Sequence, residues 1–196
     1  MKKLLALSGS SRRNSLNTKL LQIAVKHACD QGAEVEILDL GELDLPIYHG
    51  DEEEANGLPA GAVTLKNAMR KADGFLIASP EYNSFPTPLL LNAIDWASRP
   101  ESSEERPLSA FKGKGAGLMA ASPGPLGGMR SLSMLRAKLQ NIGVTVVPGM
   151  TAVGSASTEL LSGDDFINSG QGNRLKGTIT SLIQLKVQAC DNENGS

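Results

Sequence analysis

The sequence predicts a three-layer α/β sandwich, in which a parallel sheet is covered by helices on both faces. Short apolar runs alternate with helical patterns along the chain, as in proteins built from successive βα units. The apolar runs also lack the every-second-residue alternation of a sheet with one face in water. Three unusual loops each follow a predicted strand, so we expect them to meet at the carboxyl edge of the sheet.

Each predicted element follows from its local pattern. The strands are short continuous apolar runs, predicted over residues 4–7, 35–40, 75–79, 115–121 and 144–147. The helices have apolar residues at helical spacing and are predicted over residues 16–30, 60–72, 88–98, 127–141 and 174–189. Gly32 and Gly143 suit helix ends, and Pro88 suits a first turn. The acidic run 51–54 is interpreted as a solvated loop.

Length and composition narrow the possible classes of protein. At 196 residues the chain is predicted to form one domain over residues 1–190, followed by a disordered tail at 191–196. A net charge of −2, from 19 basic and 21 acidic residues, argues against a nucleic-acid partner. The two cysteines have no metal-ligand spacing; we expect Cys29 to be buried and Cys190 to lie in the tail. Without an apolar run long enough for a signal peptide or membrane span, we expect a cytoplasmic protein.

The first loop, residues 8–17 (S-G-S-S-R-R-N-S-L-N), joins the first strand to the first helix. A helix N-terminus offers free N–H groups and the positive end of the helix dipole, and hydroxyls and arginines can surround phosphate oxygens. The loop therefore predicts a phosphate site, although it matches neither the P-loop nor the dinucleotide fingerprint. An ordinary turn stays open as the alternative, with Ser15 or Asn14 as the N-cap and Arg12 and Arg13 as surface charges.

The second and third loops have different compositions. The second loop, residues 79–85 (S-P-E-Y-N-S-F), offers backbone groups to the edge of a planar heterocycle, with Tyr82 or Phe85 available for apolar contact. The third loop, residues 122–130 (S-P-G-P-L-G-G-M-R), contains glycines that let the backbone approach a ligand closely. Each loop alone is consistent with a plain turn. Three such loops at one edge of a sheet favour a cofactor site.

In combination, these motifs resemble the NADPH-dependent FMN reductase family, which includes bacterial quinone and chromate reductases and has the flavodoxin-like fold. The motifs are G-S-x-R-x-x-S-x-N at residues 9–17, S-P-E-Y-N at 79–83, N-A-I-D-W at 92–96, and S-P-G with G-G-x-R at 122–130. The resemblance extends from the first strand to about residue 147. One departure is Leu91, because relatives usually carry lysine before the N-A-I-D-W motif.

The resemblance implies a five-stranded parallel sheet in the order 2-1-3-4-5, with FMN as cofactor and NAD(P)H as co-substrate. The residues implied for the FMN phosphate are Ser10, Arg12, Ser15 and Asn17, with Leu16 beside them. Those implied to line the isoalloxazine ring, mostly through backbone groups, are Pro80, Glu81, Tyr82 and Asn83. Ser122 and Gly124 are implied to contact the ring or the ribityl chain. Two interpretations of Arg130 stay open: contact with substrate or an NADPH phosphate, and a salt bridge at the helix start.

The implied function is an FMN-dependent NAD(P)H oxidoreductase that passes hydride through bound FMN to quinones, free flavin or similar small-molecule acceptors. The scheme is ping-pong, and no side chain is implied as an acid–base catalyst, because the flavin carries the redox chemistry. The alternatives are a flavodoxin-like electron carrier, which is usually strongly acidic and aromatic-rich, and a phosphate- or nucleotide-binding module without redox chemistry. A homodimer or homotetramer is expected, from the resemblance and from the apolar run Leu89, Leu90 and Leu91.

Overall fold

The computed structural model describes residues 1–162 and 164–187. Its centre is a parallel sheet in the strand order β2-β1-β3-β4-β5, which confirms the predicted fold and order. The strands in chain order are β1 (Lys3–Ser8), β2 (Glu34–Leu38), β3 (Gly74–Ala78), β4 (Lys114–Ala121), β5 (Val144–Val146) and β6 (Thr151–Val153). The sixth strand was not predicted; it pairs with the carboxyl end of β4, whereas β5 pairs with the beginning of β4.

Helices cover both faces of this sheet. They are α1 (Leu16–Asp30), α2 (Gly50–Asn56), α3 (Ala60–Lys71), α4 (Pro88–Ala97), α5 (Met129–Asn141), α6 (Thr158–Ser162), α7 (Asp164–Asn168) and α8 (Gly170–Gln184). One buried apolar cluster joins α3, α4 and α5 to the sheet, and a second joins α1 and α8 to its opposite face. All five residues of β3 are buried, which explains why this strand is an unbroken apolar run.

The acidic run 51–54 is not a loop, so that prediction was wrong. It lies in α2, whose first turn contains Asp51, Glu52 and Glu53. Carboxylates near a helix N-terminus are favoured by the helix dipole, which gives this polar segment a local reason to be helical. Because α2 buries none of its residues, it has no apolar face that a search for helical spacing could detect.

Cys29 and the last helix differ from their predictions. Cys29 is exposed near the end of α1, not buried, because the helix turns Leu20, Ala24 and Ala28 toward the sheet instead. Helix α8 begins at Gly170, four residues earlier than predicted. Its Ser169 N-cap accepts a hydrogen bond from the Gly172 N–H. The helix ends at Gln184, not at residue 189 as predicted, because the backbone turns extended at Leu185. Cys190 and the tail 191–196 lie outside the described residues.

Candidate cofactor site

The three loops lie at the carboxyl edge of the sheet, around the point where the chain changes faces. After β1 the chain enters α1 on one face, and after β3 it enters α4 on the other, while β1 and β3 are adjacent. Such a topological switch point leaves a crevice outside the strand ends, where ligands bind in open α/β sheets. The first and second loops flank this crevice, and the third loop follows the neighbouring strand β4.

The first loop presents hydrogen-bond donors at the start of α1. Ser15 is the N-cap, as one prediction had it, and its Oγ accepts from the N–H groups of Asn17 and Thr18 at 3.1 and 3.2 Å. A helix begins with four N–H groups that have no partner within the helix. Two of them are satisfied by Ser15 Oγ, which leaves the N–H groups of Ser15 and Leu16 available to a ligand, together with the Ser15 hydroxyl hydrogen.

Arg12 adds a positive charge to these donors. Its side chain is exposed, and among the side chains that the structure describes no carboxylate forms an ion pair with it. Nearby, Ser10 is buried and its Oγ accepts from the Arg12 N–H at 3.4 Å. The loop itself contains no acidic residue. Hydroxyls, free N–H groups and an unpaired guanidinium form a donor set that fits a phosphate.

Asn17 faces the sheet. Its buried side chain donates from Nδ2 to the Ala121 carbonyl at 2.9 Å, and its Oδ1 accepts from the Ala121 N–H at 2.9 Å. Ala121 is the last residue of β4, so Asn17 fixes the start of α1 beside the third loop. Both the Nδ2 and the Oδ1 of the Asn17 amide are therefore hydrogen-bonded to Ala121. The implied contact of Asn17 with the FMN phosphate stays a prediction.

The first loop is tied at Gly9 to the two residues that flank the second loop. The Gly9 N–H donates to the Ala78 carbonyl at 2.8 Å, and the Gly9 carbonyl accepts from Thr87 Oγ1 at 2.6 Å. A Cβ atom at Gly9 would lie 2.9 Å from Thr87 Oγ1. The glycine is therefore required by close packing between the two loops.

The second loop forms a tight hairpin. Tyr82 and Phe85 exchange two backbone hydrogen bonds of 2.9 and 3.0 Å, and Asn83 and Ser84 between them have φ values of 52° and 69°. Such left-handed backbone is uncommon outside glycine and concentrates at functional sites. The Tyr82 and Phe85 side chains are 46% and 54% exposed, so the hairpin presents two aromatic rings to the outside of the protein.

Glu81 connects the second loop to α5. Its Oε1 accepts from Arg130 Nε at 2.7 Å, and its Oε2 accepts from the Ser131 N–H at 3.2 Å. The Ser131 hydroxyl also donates to the Pro80 carbonyl. Of the two interpretations of Arg130, the structure shows the salt bridge. Burial alone would raise the pKa of Glu81, but hydrogen bonds from Arg130 and from backbone N–H groups outweigh it and hold that pKa below its ordinary value.

The third loop is held by strand β6 and the residues after it, although no strand was predicted there. The Ser122 N–H donates to the Val153 carbonyl at 3.1 Å, and the Ser122 carbonyl accepts from the Ala156 N–H at 2.9 Å. Ser122 Oγ accepts from the Gly124 N–H, and a Cβ at Gly124 would meet only this hydroxyl, at 3.5 Å. The space beside the Gly124 Cα is thus open to a ligand, whereas the Gly124 carbonyl already accepts from the Gly127 and Ser155 N–H groups. The β-branched Thr and Val of the T-A-V run in β6 favour a strand, but three residues are too few to form a recognisable strand pattern.

Other features lie apart from the loops. A groove lined by Tyr48, Glu53 and Arg99 lies beside the end of α4. Trp96 is buried in the core and donates from Nε1 to the Pro46 carbonyl at 2.7 Å, as expected for a packing residue. In the part of the chain that the structure describes, no three His, Cys, Asp or Glu residues gather as metal ligands. No helix in that part is long and apolar enough to cross a membrane.

A doubly wound parallel sheet with a donor-rich loop at its switch point defines a flavodoxin-like α/β protein, and comparisons with known proteins agree. The profile of the NADPH-dependent FMN reductase family matches residues 2–158. The chain is 33% identical to an NAD(P)H-dependent FMN reductase of Pseudomonas aeruginosa, covering 95% of this chain and 92% of the relative. It is 31% identical to a quinone reductase of Escherichia coli, with 90% of each chain covered.

A solved structure gives the same result. The flavoenzyme FerB of Paracoccus denitrificans, an NAD(P)H:(acceptor) oxidoreductase, superposes with a TM-score of 0.76 at 28% identity, over 93% of this chain and 98% of FerB. The chain belongs to the NADPH-dependent FMN reductase family. The resemblance found in the sequence motifs is thereby confirmed.

Proposed function

We propose that this protein is an FMN-dependent NAD(P)H oxidoreductase that reduces quinones, free flavin or similar small-molecule acceptors. The observation that carries the proposal is the meeting of three loops at the switch point, each with chemistry suited to one part of FMN. The first loop offers donors for a phosphate, the second offers backbone groups and aromatic rings, and the third offers open space beside the Gly124 Cα. Relatives over almost the whole chain are named FMN reductase and quinone reductase.

Each group at the site has a binding role in this proposal. The Arg12 guanidinium, the Ser10 and Ser15 hydroxyls and the Leu16 N–H hold the phosphate. Backbone groups of Pro80, Glu81, Tyr82 and Asn83 line the ring in the second loop, and Ser122 and Gly124 contact the ring or the ribityl chain. When bound, FMN would supply the redox chemistry for ping-pong hydride transfer from NAD(P)H to the acceptor.

The carrier alternative has less support. Flavodoxin-like carriers are usually strongly acidic and enclose the ring between aromatic side chains, whereas this chain has a net charge of −2 and only 4% aromatic residues. We further propose that the protein acts in the cytoplasm, as a homodimer or homotetramer, with residues 1–190 forming a single flavin-binding domain.

Anaerobic titration tests the proposed function. The purified protein is reconstituted with FMN and mixed with NADPH or NADH in the absence of oxygen, and the flavin absorbance is followed. We expect bleaching by at least one nicotinamide and reoxidation by members of a quinone and flavin panel. Failure to bind FMN, or no bleaching by either nicotinamide, would contradict the proposal. Reduction only through a partner protein would favour the carrier.

A further inference from the structure

We propose that Glu81 is a positioning residue, whose carboxylate fastens the second loop to the first turn of α5 and thereby sets the shape of the ring-binding hairpin. The inference rests on the proposed function, because it gives the side chain of Glu81 a part in FMN binding that differs from lining the ring. Arg130 is its partner in this role.

Helix α5 depends on Glu81 for its cap. Its N-cap residue is Gly128, which has no side chain to accept a hydrogen bond, and its first turn contains no acidic residue. Glu81, distant along the chain, supplies the missing acceptor to the Ser131 N–H. A carboxylate at this position is favoured by the exposed N–H groups and by the helix dipole.

The environment of Glu81 distinguishes it from an ordinary surface charge. Its side chain is only 10% exposed, while that of Arg130 is 59% exposed. Exposed ion pairs contribute little because water and salt screen them. The Glu81 carboxylate instead binds a guanidinium and a backbone donor in a largely buried place, where loss of one partner leaves a polar group unsatisfied.

The hairpin begins at Tyr82, directly after Glu81, so the hydrogen bonds of Glu81 affect the shape of the proposed ring-binding hairpin. Tyr82 pairs with Phe85, and Asn83 and Ser84 between them hold left-handed backbone that persists only when the surroundings impose it. On one side, Pro80 and Glu81 are bound to Ser131 and Arg130. On the other side, Thr87 is bound to the first loop at Gly9. Releasing Glu81 frees one of the two anchored ends of the hairpin.

Flavin titration of the apoprotein separates positioning from simple stabilisation. We would compare Glu81→Gln, Arg130→Gln and the double variant, at a temperature where circular dichroism shows each apoprotein fully folded. We expect FMN affinity, measured by flavin fluorescence, to fall about tenfold in Glu81→Gln, on the scale of one charge-assisted hydrogen bond. The double variant should bind FMN no more weakly than Glu81→Gln, and the visible circular dichroism of the bound flavin should change with affinity.

Two further variants sharpen the comparison. Glu81→Asp keeps the charge but shortens the side chain by one methylene, so it should resemble Glu81→Gln. Arg136→Gln also removes a charge from α5, at a side chain whose hydrogen bond among the described residues is to Gln140, and it should bind FMN like the wild type.

The outcomes separate this inference from the proposed function. A wild-type protein that binds no FMN would overturn the proposed function and this inference with it. If the wild type binds FMN, three results would overturn the positioning role alone. These are a lower melting temperature with unchanged affinity, restoration of affinity by Glu81→Asp, and additive losses in the double variant.

Discussion

Asn17, Thr87 and Glu81 each tie a loop of the candidate site to a neighbouring element. Asn17 joins the first loop to the end of β4, Thr87 joins Gly9 of the first loop to the start of α4, and Glu81 joins the second loop to α5. These hydrogen bonds fix the loops relative to one another before any ligand arrives. A site held in this way loses little conformational entropy on binding, which favours affinity.

At the scale of single residues, we expect Arg12→Ala to weaken FMN binding. The substitution removes one or two charge-assisted hydrogen bonds to the phosphate, each worth about 1.5–3 kcal/mol. Titration of the apoprotein with FMN measures the effect. Arg13→Ala, an exposed charge one residue away, is the matched comparison and should have the smaller effect. Unchanged affinity in Arg12→Ala would show that Arg12 is an ordinary surface charge.

Asn17→Ala should destabilise the apoprotein itself. It leaves the N–H and the carbonyl of Ala121 without their partners in a buried place, at a cost of about 2–4 kcal/mol in the free energy of unfolding. Urea denaturation without FMN measures this cost, and the exposed Asn14→Ala should change it by less than about 0.5 kcal/mol. A variant with normal stability but weak FMN binding would instead identify Asn17 as a phosphate ligand.

At the scale of elements, α3 is fastened to the segment after α4 by a buried group of charges. The fully buried Lys66 lies 2.9 Å from Glu105 Oε2, and Arg70 lies 2.7 Å from Glu105 Oε1. Ser109 also donates to this carboxylate, at 2.6 Å. Burial alone would raise the pKa of Glu105, but these hydrogen bonds and one from the Glu101 N–H outweigh it and lower the pKa to about 2.

This lowered pKa predicts a loss of stability in acid. A carboxyl group whose pKa is lower in the folded state stabilises the fold above its ordinary pKa of 4.5, and it loses that contribution as the pH falls toward about 2. Between pH 5 and 2, the unfolding free energy of the wild type should fall by about 3 kcal/mol more than that of Glu105→Gln. Urea denaturation at each pH measures both, and the exposed Glu54→Gln should follow the wild type. Parallel curves for wild type and Glu105→Gln would contradict the prediction.

Two glycines of the third loop should behave differently when replaced by alanine. At Gly127, with φ of 60°, a Cβ would lie 2.6 Å from the Gly154 nitrogen, so Gly127→Ala should destabilise the apoprotein by at least about 1 kcal/mol. At Gly124 there is room, so Gly124→Ala should leave stability nearly unchanged yet weaken FMN binding, because the methyl group occupies space needed for the ligand. Thermal unfolding and FMN titration measure the two effects. Normal FMN binding in Gly124→Ala would place the ligand away from this backbone.

Some helices and strands could be predicted from the local sequence, whereas others could not. Helices with a wide apolar face, such as α1 and α3, could be predicted to within a residue or two, because the spacing of buried residues is written in the chain. The short elements α2 and β6 could not be predicted, because too few residues repeat to form a pattern. Strand β6 is recognisable only when its position beside β4 is known.

For the whole molecule, we predict self-association. Among the described residues, large apolar side chains are exposed at Ile47, Phe85 and Leu126, at 88%, 54% and 55% of their surfaces. Exposed apolar groups gain free energy when they are covered by a partner. Light scattering at micromolar concentration should therefore give the mass of a dimer or tetramer, and the mass of a monomer would contradict the prediction.

The sequence by itself determined the βα alternation, the parallel sheet and the three loops at its carboxyl edge. These features follow from local patterns: apolar runs, helical spacing, and polar or glycine-rich segments at strand ends. The residues of the first loop also carried enough chemistry to predict a phosphate site, and Ser15 could be proposed as its N-cap.

Only the tertiary structure decided what the polar side chains of the site bind. Asn17 holds Ala121, Glu81 holds Arg130 and the start of α5, and β6 holds the third loop. Each of these partners lies far away along the chain, so no local pattern records it. A buried polar group takes whichever partner the packing of the sheet and helices brings within hydrogen-bond distance.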